Sequence, residues 1–266
     1  MLLCLLLLAQ SSRTDKIVFV HGILATDTNV EDWTRYARHL GYDTLAPKIG
    51  NGVYDSVFMK PENQCNALAD EINNWTCVED RIALIGFSQG GLLARCVVEE
   101  GMLHAKISKL ITVASPNRGI YYMGCPFCTV PRFGVDPHNP HTTHNVFISQ
   151  LNNEGAYYLP HRKANIEKLS SLGAIVATLD TVVVPPQSAV YSYYNNDTPP
   201  RIVPLLSSAW YNSNVIGLKS LFRRNALHMT SVNCTHTTIA SKPCMDKPVN
   251  GRETSLVEWV FDIVAS

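Results

Sequence analysis

Continuous apolar runs alternate along the chain with segments whose apolar residues recur at three- and four-residue intervals. The runs predict strands buried on both faces, at residues 15–24, 43–50, 81–87, 106–116, 174–180 and 225–233. The helical spacing predicts helices at residues 30–44, 63–75, 89–101 and 254–264, with a helix or turn at the start of 164–180. This alternation predicts an α/β fold with a mostly parallel sheet and helices on both faces.

The periodicity breaks between residues 117 and 165, where Pro, His, Asn and aromatic residues prevail. We find no internal repeat and no linker, so residues 13–266 are interpreted as one domain with a lid-like insertion at about 117–165. Loops at the carboxyl edge of such sheets build functional sites. His138, His141 and His144 lie in the insertion, but their irregular setting favours solvated loop histidines and no metal site.

Composition narrows the class of protein further. Apolar residues make up 46% and charged residues 17%, which is typical of a globular chain. The 22 basic and 22 acidic residues give zero formal net charge, which does not favour nucleic acid or an anionic membrane surface as a partner. No later apolar stretch is long enough for an integral membrane span, and no motif predicts a cofactor.

The amino terminus, MLLCLLLLAQSS, predicts a signal peptide over residues 1–12, although it lacks a basic residue and a first buried strand is the alternative. Three glycosylation sequons, at Asn74, Asn196 and Asn233, point the same way. Together these features predict a glycoprotein of the secretory pathway.

Eight cysteines are present, and loss of Cys4 with the signal would leave seven. In an oxidising compartment most of these should pair. The spacings make Cys65–Cys77 and Cys234–Cys244 plausible local bridges. The CPFC stretch at 125–128 predicts a small structural loop rather than a redox or zinc site.

The segment RIALIGFSQGGLLARC carries a G-x-S-x-G motif at 86–90, between a predicted strand and a predicted helix. In that setting a tight turn exposes the serine above the sheet, and the helix amino terminus faces any developing anion. The motif predicts Ser88 as a nucleophile. A chance match in an ordinary strand–turn–helix unit is the alternative.

A serine nucleophile needs a general base, which in this fold follows the acid in the chain. His236 lies in the loop NCTHTT after the last predicted strand, whereas His228 lies within that strand. The loop position favours His236.

The orienting acid is expected at the end of the preceding strand. Asp180 directly ends the run AIVATL, whereas Asp197 lies in a polar loop and Asp136 in the insertion. Asp180 is therefore the predicted acid. The oxyanion hole would use the backbone N–H of Gln89, next to the nucleophile, and that of Ile23, after the first strand.

With these residues assigned, the chain resembles the palmitoyl-protein thioesterases. The resemblance rests on HGIL, GFSQGG, NNEGAYYLPHR and LDTVVVPPQSAVYSYY, and it covers about residues 16–245. Three stretches, ITVASPNRG, GLKSLFRRNALHM and THTTIAS, are closer to the type-2 branch, whose preference leans towards fatty acyl-CoA. The spacings of the cysteines and of the carboxyl-terminal tail depart from the family pattern.

The resemblance implies an α/β-hydrolase fold and a lysosomal enzyme that cleaves long-chain acyl thioesters. It also implies the triad Ser88, Asp180 and His236, with Ile23 and Gln89 at the oxyanion positions. The insertion would form the acyl groove, and its candidate lining residues are Tyr121, Tyr122, Met123, Phe127 and Phe147. Ordinary core packing is the alternative for each of them.

Two rival functions remain compatible with the sequence. A lipase or acyltransferase would use the same triad on oxygen esters. A hydrolase fold without activity could serve as a binding module. Oligomeric state is not indicated by any pattern in the chain.

Overall fold

The computed structural model describes residues 16–121, 134–135, 146–195, 197 and 200–266. Its strands in chain order are β1 (Lys16–Val20), β2 (Asp43–Leu45), β3 (Arg81–Phe87), β4 (Lys106–Val113), β5 (Ile120–Tyr121), β6 (Gly134–Val135), β7 (Ser171–Ala177), β8 (Tyr193–Tyr194), β9 (Ile202–Val203) and β10 (Leu227–Val232). Within the described residues, six of them form one sheet in the order β10-β7-β4-β3-β1-β2. All neighbours in this sheet are parallel.

The helices fill the connections that parallel strands require. In chain order they are α1 (Glu31–His39), α2 (Val53–Phe58), α3 (Pro61–Trp75), α4 (Gln89–Glu99), α5 (Val146–Leu151), α6 (Pro160–Glu167), α7 (Ala209–Ser213), α8 (Leu218–Arg223), α9 (Lys242–Met245) and α10 (Leu256–Ala265). Short 3₁₀ turns occupy Asp27–Val30, Gly155–Tyr157, Pro186–Val190 and Leu205–Ser207.

Successive strand residues bury their side chains on opposite faces of the sheet. On β1, Val18 and Val20 join a core shared with α3, α4 and α6, whereas Ile17 and Phe19 join a second core shared with α1 and α10. Each of these four side chains is fully buried. The strands are therefore apolar throughout because both of their faces are covered.

The predicted fold class is confirmed, and the long elements match their predicted positions to within a few residues. Five short helices, α2, α5, α7, α8 and α9, were not predicted, because six residues or fewer give too little periodicity to recognise. The part of the 117–165 segment that the structure describes includes β5, α5 and the start of α6. Its role as a lid stays a prediction.

Two disulfides test the predicted bridges. Cys234 bonds to Cys244, as predicted. Cys65 bonds to Cys96, so the predicted Cys65–Cys77 bridge is wrong. Cys65 lies on α3 and Cys96 on α4, and these helices pack side by side. The helix that continues from Cys65 to Trp75 carries the chain about 15 Å away, which is too far for Cys77 to reach back.

Two other predictions concern the amino terminus and the CPFC stretch. The predicted signal segment 1–12 and the CPFC stretch lie outside the described residues. Among the described residues, no helix has the length and apolar character needed to cross a bilayer.

Candidate active site

Ser88 stands between the end of β3 and the start of α4, with its backbone in the left-handed region at φ 54°. A non-glycine residue pays for that conformation, and such strain concentrates at functional sites. Glycines make the turn possible. A side chain at Gly86 would run into the backbone of Gly90 and Gly91, and one at Gly90 would run into the carbonyl of Val20. The corner therefore brings α4 directly against the end of β1.

The loop after β1 lies against Ser88. A Cβ atom added to Gly22 would lie 3.0 Å from Ser88 Cβ. His21 is 2% exposed, and its Nδ1 lies 2.9 Å from the Gly22 carbonyl oxygen. A bond there orients the Gly22–Ile23 peptide, because carbonyl and N–H point in opposite directions in a trans peptide. Ile23 thus presents its N–H from a segment packed on Ser88.

His236 reaches Ser88 from the loop after β10, at the same edge of the sheet. The Ser88 hydroxyl donates to His236 Nε2 at 2.8 Å, and His236 Nδ1–H donates to Asp180 Oδ2 at 2.6 Å. The proton is assigned to Nδ1 because a carboxylate can only accept. Such a chain can take the hydroxyl proton as the oxygen attacks a carbonyl carbon.

Asp180 is held as an acceptor on both oxygens. Its Oδ1 accepts the backbone N–H groups of Val182 at 2.8 Å and Val183 at 2.9 Å, which leaves Oδ2 for His236. The Asp180 side chain is 1% exposed and that of His236 is 12% exposed. The pair is therefore shielded, while the imidazole edge stays open towards Ser88.

The structure describes two of the three alternatives that the sequence offered, and neither is hydrogen-bonded to Ser88. His228 is the second residue of β10 and so lies at the amino end of the strand, away from the Ser88 edge. Burial, together with Lys109, lowers the pKa of His228. Asp197 is exposed and bonds to Arg201 at 2.6 Å, which lowers its pKa. Asp136 lies outside the described residues.

A buried amide pair was not anticipated from the sequence. Gln89 Nε2 donates to Gln64 Oε1 at 2.9 Å, and both side chains are buried. Gln64 lies on α3, so this bond joins the residue after the nucleophile to a different helix. No spacing rule could have found it, because 25 residues separate the two amides.

A second unanticipated feature is the ion pair inside α4. Arg95 is fully buried and donates to Glu99 at 2.8 Å, to the Leu151 carbonyl at 2.8 Å and to the Asn117 carbonyl at 3.1 Å. Burial raises the pKa of Glu99 to about 7, against the opposing effect of Arg95. The i, i+4 charges in the otherwise apolar LLARCVVEE were the available signal.

A cavity of about 570 Å³ opens beside this network. Arg118 lies 4.2 Å from the Trp210 ring centroid, and Trp210 stacks on Tyr191 with 6.2 Å between the ring centroids. Arg95 lies 5.3 Å from the Tyr191 ring centroid. Glu154 pairs with Arg118 at 3.0 Å. These groups rigidify one wall, and no triad side chain lines the cavity.

The predicted acyl-contact residues are only partly described. Phe147 is buried in the core, beside the Cys65–Cys96 bridge at a cavity of about 240 Å³. Tyr121 is described by its backbone in β5. Tyr122, Met123 and Phe127 lie outside the described residues, so the acyl groove stays a prediction.

The sequons give a further comparison, whereas His138, His141 and His144 lie outside the described residues. Asn74 and Asn233 are exposed, and Asn196 lies outside the described residues. Within the part of the chain that the structure describes, no group of three or more His, Cys, Asp or Glu side chains could hold a metal ion.

The family model and two relatives that match this chain are all named as thioesterases. A family model described as palmitoyl protein thioesterase matches residues 16–136 and 131–236. Palmitoyl-protein thioesterase 3 of Dictyostelium discoideum is 26% identical over 261 residues, which cover 88% of this chain and 89% of that protein. Lysosomal thioesterase PPT2-B of Xenopus laevis is 25% identical over 266 residues, covering 87% and 88%.

Among solved structures, a pyrethroid hydrolase from Sphingobium faniae JZ-2 aligns with a TM-score of 0.48 and 16% identity. The alignment covers 94% of this chain and 96% of that one.

Proposed function

The chain belongs to the palmitoyl-protein thioesterase family, and from that premise we propose that it hydrolyses long-chain fatty acyl thioesters through Ser88, His236 and Asp180. The observation that carries the proposal is the hydrogen-bonded chain from the Ser88 hydroxyl through His236 to Asp180. The lysosomal relative also supports the type-2 branch.

The proposed reaction has two halves. Ser88 Oγ attacks the thioester carbonyl carbon while His236 Nε2 takes the hydroxyl proton. The negative oxygen is stabilised by the N–H groups of Ile23 and Gln89 until the C–S bond breaks. The thiolate leaves, with a proton from His236 where it needs one, and Ser88 carries the acyl group. Water, deprotonated by His236, then releases the fatty acid and restores Ser88.

Palmitoyl-CoA and S-palmitoylated proteins are the proposed substrates. The names of the relatives support palmitoyl thioesters as the class, since triad chemistry alone treats sulfur and oxygen esters alike. A long acyl chain contributes about 0.8 kcal/mol for each CH₂ that an apolar groove removes from water. The insertion at 117–165 is the proposed source of that groove.

A lysosomal setting is proposed for the mature enzyme. The Cys65–Cys96 and Cys234–Cys244 bridges suit an oxidising compartment, and Asn74 and Asn233 are exposed where glycans would attach. We propose that residues 1–12 direct the chain there and that residues 13–266 form one domain.

The test is a substrate panel with wild type and Ser88→Ala. We expect wild type to hydrolyse palmitoyl-CoA and an S-palmitoyl peptide faster than a triglyceride, and Ser88→Ala to lose at least roughly 10⁴-fold in rate. A fluorophosphonate probe should label wild type and the control Ser207→Ala, whose serine is exposed, but should not label Ser88→Ala.

Two results would contradict the proposal. An unlabelled and inactive wild type would favour the binding-module alternative. Faster cleavage of the triglyceride than of either thioester would favour a lipase.

A further inference from the structure

Helix α2 is linked to both sides of the proposed oxyanion hole, directly through Ser56 on one side and by way of Gln64 on the other. On one side, Gln89 Nε2 donates to Gln64 Oε1 at 2.9 Å, and Gln64 Nε2 donates to the Met59 carbonyl at 2.8 Å, just after α2 ends. On the other side, the Leu24 N–H donates to the Ser56 hydroxyl within α2 at 2.9 Å. Gln89 carries one proposed donor N–H, and Leu24 follows Ile23, which carries the other. Both residues are thus linked to one six-residue helix.

The amide link is shielded from water and Ser56 is buried, whereas Leu24 is exposed. Gln64 is 1% exposed, Gln89 is 2% exposed and Ser56 is 3% exposed. Water cannot replace a lost partner within the buried amide link, so that link constrains geometry more than an exposed bond would.

The Leu24 tie acts on a strained segment. Leu24 has φ 57°, in the left-handed region that favours glycine, and its backbone needs an external hold to stay there. The Leu24 N–H belongs to the peptide that directly follows Ile23. Fixing that peptide restricts rotation of Ile23, whose N–H is the proposed donor.

We propose that Gln64 and Ser56 are positioning residues that set the separation of the Ile23 and Gln89 N–H groups through α2. This inference rests on the proposed function, because it assumes that these two N–H groups bind the oxyanion. Oxyanion stabilisation depends on donors lying about 2.7–3.1 Å from the developing charge. A small displacement of either N–H group therefore weakens binding of the transition state more than binding of the substrate.

The first test removes the amide link. Gln64→Leu should lower kcat for palmitoyl-CoA by about 10- to 100-fold, less than full loss of a donor, while KM changes by less than about twofold. The matched control is Asn73→Leu, on the same helix. Its amide donates to the Met102 carbonyl and accepts the His104 N–H, both at 3.0 Å, on a segment without site residues. The control should keep wild-type kcat.

The second test removes the hydroxyl. Ser56→Ala leaves the Leu24 N–H without its acceptor and should lower kcat in the same way. Thr34→Val is its control, because Thr34 is also a buried helical hydroxyl that donates to the carbonyl three residues earlier, at 2.8 Å to Glu31. Thr34 accepts nothing from the oxyanion loop, so its loss should lower stability alone.

Gln64→Glu gives a readout that simple damage would not reproduce. A protonated carboxyl can accept from Gln89 and donate to the Met59 carbonyl, as the amide does, whereas a carboxylate cannot donate. The variant should approach wild-type kcat at acidic pH and lose rate as its carboxyl ionises on raising the pH. Gln64→Leu should lack this added pH dependence.

Folding and function are separated by a cycle. Thermal unfolding establishes that each variant is folded at the assay temperature, and Gln89→Leu supplies a variant that keeps the backbone donor but breaks the same link. The Gln64→Leu and Gln89→Leu losses in kcat should be similar and should not add in the double variant.

The outcomes divide cleanly. Wild-type kcat in folded Gln64→Leu, or additive losses in the cycle, overturns the inference while an inactive Ser88→Ala leaves the proposed function standing. Full activity in Ser88→Ala overturns both.

Discussion

At the scale of single residues, His236 owes its place to the strand that carries it. All neighbouring strands are parallel, so the carboxyl ends of β10, β7 and β3 lie at the same edge of the sheet. His236, Asp180 and Ser88 follow these three ends. The imidazole lies within hydrogen-bond distance of both Ser88 and Asp180. Chain order and strand position were enough to select His236 from the sequence.

His236→Ala should lower kcat by about 10⁴-fold or more, because Ser88 loses the group that accepts its proton. The control is His228→Ala, which removes a half-buried imidazole from the other end of β10 and should keep nearly all activity. Steady-state kinetics on palmitoyl-CoA decide the matter. An active His236→Ala together with an inactive His228→Ala would reverse the assignment.

The proposed positioning residues, Gln64 and Ser56, were not predicted from the sequence. In the sequence, Gln64 looks like an ordinary polar residue of α3. Its proposed role arises because it faces Gln89 on the neighbouring helix. Amides carry no pattern that reveals a partner on another element. Sequence analysis could therefore predict candidate reacting groups, but it could not predict the side chains that bond around them.

At the scale of elements, the packing of α4 on β1 links the nucleophile to the oxyanion loop. Long elements with strong periodicity were predictable, but the contacts between them were not. The Cys65–Cys96 bridge shows the difference, because it reports that α3 and α4 are neighbours, which spacing along the chain does not reveal. Short α2 was missed for lack of periodicity, yet it bonds to the oxyanion loop.

Gly90→Ala should push α4 away from the end of β1. Its Cβ would collide with the carbonyl oxygens of Val20 and His21, which are backbone atoms and cannot swing aside. We expect a loss of about 1–3 kcal/mol in unfolding free energy, typical of overpacking, together with a fall in kcat.

Gly173→Ala on β7 is the matched control for that variant. Its Cβ would meet side-chain atoms of Ile111 at 3.2 Å, away from the loop, so it should cost stability without a comparable loss of kcat. Denaturant unfolding and kinetics separate the two effects. Equal kcat in both variants would contradict a special role for the α4–β1 contact.

At the scale of the whole molecule, the buried Glu99 couples stability to pH. Burial raises its pKa from 4.5 to about 7, so between these values the folded chain holds a proton that the unfolded chain has released. The stabilisation is fully present below about pH 4.5 and is lost as the pH rises through 7. This direction suits the acidic compartment proposed for the enzyme.

Glu99→Gln should flatten the pH dependence of stability. Wild type should lose up to about 1.4 kcal/mol per pH unit across this window from Glu99, and the variant should lose correspondingly less. Thermal unfolding from pH 4.5 to 7.5 measures the slope, with the exposed Glu79→Gln as control. Equal slopes in wild type and Glu99→Gln would show that Glu99 does not titrate in this range.

The position of β10 also has a consequence for newly made chains. It is an edge strand and the last of the sheet to be synthesised, and 148 residues separate Ser88 from His236. Pairing of segments so distant in the chain is slow, because the chain loses conformational entropy on closing the loop before the stabilising contacts form. A nascent chain thus displays its serine corner well before it acquires a base. We therefore expect a chain truncated before β10 to lack thioesterase activity even though it contains Ser88.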